Sequence, residues 1–318
     1  MGKIHELIQT HGRDRARELV DKDDKPLIDA AAAVLADEAQ RMGVTYSGFC
    51  LTALPHRRIA DDASWSRQGH KVKLVVEPGR LEIGGVERRF GVPYGSRARL
   101  VLLYLQTKAL QSKSREVELG ASMRSWMRDL NVSTGGQSYR DMKEQCNRLS
   151  ACQLKFYWET DDNRSGGVKW LRDSLIQGGL IFGDTLTGDD RQGNLWEDRV
   201  YLSESFFNAL RDHPVPILEA AIREISSKSM SIDIYIWLAY RLHSLKEPTP
   251  ITWSALFAQF GGGYEQLKHF KEQFPANLRF ALNVYPEARV DADDVGLILY
   301  PSLPPIAQDR RKAAIAGY

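Results

Sequence analysis

Twice along this chain a long apolar helical pattern is followed by a short extended segment, a short capped helix, a tight glycine turn, a longer amphipathic helix and a strand-like run. In the first copy the apolar stripe runs from Ser96 to Leu110, and Glu116 to Leu119 reads as a short strand. Ser122 then caps a helix ending at Leu130, with Met123, Trp126, Met127 and Leu130 at spacings of three and four. Gly135-Gly136 turns the chain into a third helix, Gln137 to Ala151, with Met142, Cys146 and Leu149 inward and Arg140, Lys143, Glu144, Asn147 and Arg148 mostly outward; Leu154 to Glu159 alternates as a strand. In the second copy Ser231 to Leu245 is strongly apolar, and Thr252 caps Trp253 to Phe260. Gly261-Gly262-Gly263 turns into Tyr264 to Val284, a helix that Pro275 should kink or split. Ala288 to Val290 and Leu297 to Tyr300 flank an acidic turn at Asp291 to Asp294 as a hairpin.

A short helix, a glycine turn, a longer helix and a hairpin wing is the arrangement that lays the later helix in a DNA major groove. The repeated order therefore predicts an α+β chain with tandem winged-helix domains. Residues 1–45 read as an N-terminal helical appendage, with Leu27, Ile28, Ala31, Val34 and Leu35 near helical spacing. Residues 46–210 form the first winged-helix domain with preceding strands, 211–305 the second, and 306–318 a basic tail carrying Arg310-Arg311-Lys312. The alternation between Lys71 and Val92, broken by Pro78-Gly79 and Gly84-Gly85, suggests a hairpin before the first helix. Glu204 to Ile225 reads as a connecting helical stretch interrupted by Pro214 and Pro216. Thr160 to Gly167 reads as a polar loop, and Leu180 to Phe182 and Arg199 to Leu202 as further strands.

Charge points the same way. The net charge is only +2, but from Gly79 to Arg172 seventeen Lys and Arg face ten Asp and Glu, whereas Ile181 to Glu224 carries four against nine. The candidate DNA-contacting residues are Gln137, Ser138, Arg140, Lys143, Asn147 and Arg148 in the first unit and Gln266, Lys268, His269, Lys271 and Arg279 in the second. Arg, Gln and Asn suit bidentate contacts to base edges, while Lys and Ser more often reach phosphates. The alternative is that these residues are the solvated faces of amphipathic helices.

Catalytic readings find little purchase, and no cofactor, metal site or enzyme activity is expected. Neither a Gly-x-x-x-x-Gly-Lys-Ser/Thr loop nor a Gly-x-Gly-x-x-Gly turn is present, and the seven histidines form neither His-Glu-x-x-His nor a His-hydrophobe-His pair. Tyr139 and Lys143 stand four apart like a dehydrogenase pair without the glycines that would hold its cofactor. Asp291, Asp293 and Asp294 imitate the start of a calcium loop, but its closing position is Ser302. Trp126, Trp237 and Trp253 sit on apolar stripes and read as core rather than base-stacking platforms. Cys50, Cys146 and Cys152 form no Cys-x-x-Cys pair and suit a reducing compartment. With no long apolar run and no signal-like start, a soluble, cytoplasmic location without membrane attachment is expected.

Val92 to Leu100 (Val-Pro-Tyr-Gly-Ser-Arg-Ala-Arg-Leu), Lys113 to Gly120 (Lys-Ser-Arg-Glu-Val-Glu-Leu-Gly), Gly135-Gly136 with the helix reaching Arg148-Leu149, and Phe280 to Pro286 together resemble RepA-type plasmid replication initiators. The resemblance extends from about Gly48 to Pro305. It implies a two-winged-helix initiator that binds direct repeats (iterons) in double-stranded origin DNA, helps melt adjacent DNA and recruits host replication proteins such as the replicative helicase. It also implies a homodimer that represses its own promoter, in exchange with a monomer active at the origin. In relatives the C-terminal unit supplies the main groove contacts, which favours Gln266 to Lys271 as base readers and leaves Arg140 to Arg148 a mixed role. The second unit is only modestly basic, with six Lys and Arg against four Asp and Glu from Ile225 to Asn283. Two other readings of the residues are a winged-helix transcriptional repressor and an origin-nicking enzyme.

Overall fold

The computed structural model describes residues 2–159, 168–179 and 199–306. The expected loop at Thr160 to Gly167, the strand at Leu180 to Phe182 and the tail from Gln308 lie outside the described residues. The helices in chain order are α1 (Lys3–Glu18), α2 (Lys25–Leu35), α3 (Ser47–Leu51), α4 (Gly95–Ser112), α5 (Met123–Asp129), α6 (Gly136–Ala151), α7 (Glu204–Asp212), α8 (Glu219–Glu224), α9 (Ser229–Arg241), α10 (Trp253–Phe260) and α11 (Leu267–Asn283). The strands are β1 (Met42–Tyr46), β2 (Trp65–Gly69), β3 (Val72–Glu77), β4 (Gly79–Ile83), β5 (Val86–Phe90), β6 (Glu116–Glu118), β7 (Gln153–Glu159), β8 (Val168–Ser174), β9 (Ile176–Gly178), β10 (Arg199–Leu202), β11 (Pro214–Leu218), β12 (Thr249–Thr252), β13 (Val290–Ala292) and β14 (Gly296–Leu299). The fold is α+β, and it divides into a continuous unit, residues 54–213, and a discontinuous unit, residues 1–53 with 214–318.

In the continuous unit α4 is the central helix. Ala98, Val101, Leu105 and Ala109 are wholly buried, and further leucines are buried around its circumference, so it lacks a broad polar face. Lys113 in the left-handed conformation ends it. The Ser122 hydroxyl accepts from the Ser125 N–H at 3.2 Å and starts α5, which presents Met123, Trp126 and Met127 to the core. After α6, β7 joins the antiparallel sheet β2-β3-β7-β8, whose inner face carries Val72, Leu74, Val76, Leu154 and Phe156. The short strand β6 pairs with β10 rather than with β7 or β8. The expected single hairpin between Lys71 and Val92 resolves into more: β3 lies between β2 and β7, while β4 and β5 form a separate hairpin. Gly84 and Gly85, with φ of 60° and 78°, make its two-residue turn, which only residues tolerating positive φ can supply. Pro78-Gly79 is instead a close approach: a Cβ on Gly79 would lie 1.9 Å from the Ala151 carbonyl at the end of α6.

In the discontinuous unit α9 takes the central place, with Ile232, Ile234, Tyr235 and Leu238 wholly buried. The Thr252 hydroxyl caps α10 by accepting from the Ala255 N–H at 3.3 Å. The α11 helix continues through Pro275 without being split there, and buries Phe270, Phe274, Leu278 and Ala281 on one face. Strand β12, before α10, joins β13 and β14, after α11, in an antiparallel sheet of order β12-β14-β13. The N-terminal helices belong to this core rather than standing apart as an appendage: α2 buries Leu27, Ile28, Ala31 and Val34 and packs on α8 and α11. Pro214 and Pro216 do more than interrupt a helix; they lie in β11, which pairs antiparallel with β1, Met42 opposite Leu218 and Tyr46 opposite Pro214. Both strands are edges, so a proline's missing N–H costs no ladder bond on its outer side. The Asp293 carboxylate accepts from the N–H groups of Val295 and Gly296, each at 2.8 Å, and thereby serves the hairpin turn.

Candidate nucleic-acid interface

The two helices singled out by the sequence, α6 and α11, are held differently, and this decides which of their polar residues face solvent. In α6, Met142, Cys146 and Leu149 point inward as expected, and Trp126, wholly buried, packs edge-on against Tyr104 at 5.8 Å beside them. The exposed first turns carry Gln137 and Arg140, with Ser138 half-buried. Their groups are engaged within the unit. Gln137 donates to Asp141 at 2.6 Å, Arg140 donates to the Gln137 side-chain Oε1 at 2.7 Å, and Arg97 donates to Ser138 at 3.2 Å and pairs with Asp141 at 3.4 Å. Lys143, one turn on, is half-buried, and its ammonium is pushed below its ordinary pKa first by burial and then by the nearby charge of Arg88.

Asn147 and Arg148 depart from expectation. Both were read as outward-facing, and both are buried, at 4% and 2% exposure, which removes them from any accessible surface of the folded unit. Arg148 donates to Asp61 at 2.6 Å, to Glu144 at 3.0 Å and to the Val92 carbonyl at 3.1 Å, and it stacks over the Tyr94 ring at 5.2 Å. A guanidinium supplies five donors, so it can satisfy this many acceptors while buried. Arg58 joins the same carboxylates, at 2.6 Å from Asp61 and 3.7 Å from Glu144. Burial pushes the Asp61 carboxyl up, but the hydrogen bonds from Arg58 and Arg148 outweigh it and hold the group below its ordinary value. Gln145 completes the clamp by accepting from the Tyr94 N–H at 2.8 Å. The Val92 to Leu100 segment is thus fastened to α6 at Val92 and Tyr94, and Arg99 within it donates to the carbonyls of Leu54, Pro55 and Gly95 at 2.7, 3.1 and 2.8 Å.

In α11 the corresponding end is more open. Gln266, Lys268 and His269 are exposed, and the Gln266 and Lys268 side chains make no hydrogen bond or ion pair among the described residues. His269 lies 3.8 Å from Glu272. Lys271 is half-buried, donates to the Asp294 carbonyl at 3.2 Å and lies over the Trp253 ring at 5.5 Å. The helix is seated by an aromatic cluster: Phe270 lies 5.0 Å from Phe274, 5.6 Å from Phe257 and 5.7 Å from Tyr264, and Trp253 lies 5.8 Å from Phe274. Arg279 is not gathered with the others. At about 1.5 Å per residue it stands roughly 18 Å along the helix from Leu267, and it pairs with Asp24 at 2.6 Å. Nearer the same end, His5 donates through Nε2 to the Asn283 carbonyl at 3.0 Å.

Sequence reasoning missed Arg58, Asp61, Arg88 and Arg97, which surround α6. For Arg88 and Arg97 the available signal was the density of arginine between Arg80 and Arg99. Among the described residues no group of three or more His, Cys, Asp or Glu is arranged to hold a metal ion, and no helix is long and apolar enough to cross a membrane. The three cysteines are buried thiols, each pushed up by burial.

Residues 92–254, half of the chain, match the family model described as "Plasmid encoded RepA protein". The chain belongs to the plasmid-encoded RepA family. The resemblance to RepA-type initiators carried by Val92 to Leu100 and Lys113 to Gly120 is thereby borne out, and the matched segment begins at Val92, the residue that Arg148 holds. It contains all of α6 and ends before α11, so Gln266 to Arg279 lie beyond the family match. The RepA-family chain is similar in structure to domains 2 and 3 of RctB, with a TM-score of 0.54 and 12% identity, over 82% of this chain and 99% of that one. A second structure of RctB domains 2-3 aligns with a TM-score of 0.38 and 12% identity, over 79% of this chain and 93% of that one. No curated protein sequence matches this chain.

Proposed function

We propose that this RepA-family chain is a non-enzymatic replication initiator that binds direct repeats in double-stranded origin DNA through two winged-helix units, α6 reading in one and α11 in the other. The observation that carries this reading is a repeated one, in a chain of this family: a short capped helix precedes a longer helix whose first turns leave polar and basic side chains exposed. In the discontinuous unit the order α9, β12, α10, α11, β13, β14 with β14 central supports the winged-helix reading, in which β13–β14 would be the wing. In the continuous unit β7–β8 takes the wing's position after α6. Gln266 and His269 suit base edges, Lys268 suits a phosphate, and Arg140 with Gln137 offers a bidentate donor and an amide that exchange intramolecular bonds for contacts to DNA. Binding several copies along direct repeats strains the duplex, and adjacent A·T-rich DNA opens where deformation costs least. Host proteins such as the replicative helicase are the partners this step requires, and a dimer on a promoter palindrome represses the gene.

The test is footprinting of the DNA flanking the gene at several salt concentrations against a scrambled duplex. Protection of a regular array of direct repeats is expected. A single protected palindrome makes the protein a repressor instead, and equal binding to scrambled DNA removes specific recognition. Arg140→Ala with Lys143→Ala should weaken binding to all sequences and flatten its salt dependence, whereas Gln266→Ala or His269→Ala should change sequence preference.

A further inference from the structure

The two capped helices that precede α6 and α11 are alike inside and unlike outside. Aligned on their capping hydroxyls, Ser122 and Thr252, α5 and α10 bury the same positions: Met123 matches Trp253, Trp126 matches Leu256 and Leu130 matches Phe260, all in the core. The fold asks for apolar side chains there, at spacings of three and four. The exposed positions follow no such rule. Arg124 and Arg128 on α5 match Ser254 and Ala258 on α10, and all four are exposed. An element of this shape therefore packs without a guanidinium at either place.

Arg128 serves no contact inside its unit. It is exposed, and its guanidinium has no hydrogen bond, ion pair or ring contact among the described residues. Arg124 stands four residues earlier, on the same face of the helix. The acid of α5, Asp129, lies about 100° round the helix from Arg128. The helix is also held firmly at this end. The N–H groups of Asn131 and Val132 donate to the Arg128 and Met127 carbonyls at 2.9 and 2.8 Å, and Asn131, with φ of 55°, turns the chain toward α6. Trp126 anchors the opposite face edge-on against Tyr104. The cation is thus presented to solvent from a fixed place, just before the first turns of α6.

Much of the polar surface of α6 is already engaged: Arg148 is buried, Arg97 pairs with Asp141, and Gln137 donates to the same carboxylate. A duplex held by this unit must find neutralising charge on a neighbouring element, and the helix before a reading helix is the one that crosses the DNA backbone. We infer that the exposed Arg124–Arg128 face of α5 is a DNA-backbone contact, in which Arg128 neutralises one phosphate diester beside the groove entered by α6. The inference rests on the proposed reading that α6 faces DNA. It gives the continuous unit a share of the affinity that is independent of sequence, from a position that is uncharged in the other copy.

The experiment measures binding of the full chain to a labelled scrambled duplex and to its own flanking DNA between about 50 and 200 mM salt. The variants are Arg128→Gln, Arg128→Lys and Lys246→Gln, the last at an exposed lysine of the discontinuous unit that also has no partner among the described residues. Losing one phosphate contact should lower the steepness of log affinity against log salt by about 0.9, about threefold less affinity change across that range. Arg128→Gln should do this on both duplexes alike, and adding Arg124→Gln should lower the slope further. Arg128→Lys and Lys246→Gln should each keep the wild-type slope. A slope lowered as far by Lys246→Gln as by Arg128→Gln traces the effect to net charge and overturns the α5 contact. An Arg128→Gln slope equal to that of wild type, in a protein that still binds its flanking DNA, overturns that contact and leaves the reading of α6 intact. A wild-type chain that binds neither duplex overturns both.

Discussion

The α6 and α11 helices occupy the same place in two copies of one element order, and they are seated by opposite chemistry. A cluster of rings, Trp253, Phe257, Tyr264, Phe270 and Phe274, packs α10 on α11, and the polar residues at the start of α11 are left to solvent. A buried guanidinium does the corresponding work in α6: Arg148 ties the helix to Asp61 and to the Val92 to Tyr94 segment. Apolar packing is non-directional and fixes a helix by volume. A buried ionic clamp contributes less net stability because both charges lose water, but it specifies one rotation. One helix is thus held firmly with its polar first turns open to solvent, and the other is oriented by a device that also occupies much of its polar surface.

The largest effect should come from breaking the aromatic seat. Phe270→Ala removes a wholly buried ring that touches four others and should cost about 3–5 kcal/mol. Hydrogen exchange should show it as lost protection in α10 and α11 while α4 to α6 keep theirs, a contrast that survives even when unfolding is not two-state.

Removing the clamp should cost less. Arg148→Met keeps the volume and should destabilise the continuous unit by about 1–3 kcal/mol, because Asp61 and Glu144 are 37% and 33% exposed and regain water once the guanidinium is gone. The loss should be nearly the same at low and high salt, since a buried pair is poorly screened. A variant as stable as wild type whose DNA footprint shifts would separate orientation from stability and sharpen the contrast between the two helices.

These two seats were unequally legible in the sequence. The caps at Ser122 and Thr252 and the rings on one stripe of α11 are local and were read at their observed places, and the hairpin after α11 was read with its first strand two residues early. Arg148 was read as outward because helical periodicity sorts residues by polarity alone. Its partner Asp61 lies 87 positions away, and no local pattern shows that a guanidinium at the edge of a buried stripe will find a carboxylate there. The same limit hid β11, whose prolines read as breakers until β1, far upstream, was available to pair with it. The pairing of Arg279 was hidden for the same reason, since Asp24 is 255 positions distant.

A pH change should act on the discontinuous unit through His5. The imidazole is buried, and burial lowers its pKa from 6.5 more than the hydrogen bond to Asn283 raises it. The unfolded chain therefore binds this proton at higher pH than the folded one. Stability is full above pH 6.5 and falls as the pH drops from there toward the lower folded value, with a slope that one proton limits to about 1.4 kcal/mol per pH unit. His5→Gln, which can still donate to the Asn283 carbonyl, should remove that part of the slope. An unchanged profile would assign the acid sensitivity to other groups.

The smallest effects separate the two ends of α11. Arg279 and Asp24 are 54% and 30% exposed, so Arg279→Ala should lose no more than about 1 kcal/mol of stability, and less in high salt. If only the first turns of the helix meet DNA, Arg279→Ala should leave both affinity and sequence preference unchanged, while Lys268→Ala, thermally silent because its exposed side chain has no ionic partner among the described residues, should reduce the salt slope by about 1. Both variants alter one cation on one helix, so net charge cannot explain a difference between them. Equal losses from the two would mean that DNA runs along the whole helix and competes with Asp24 for Arg279, and the open end of α11 would then be no more a reading end than the rest.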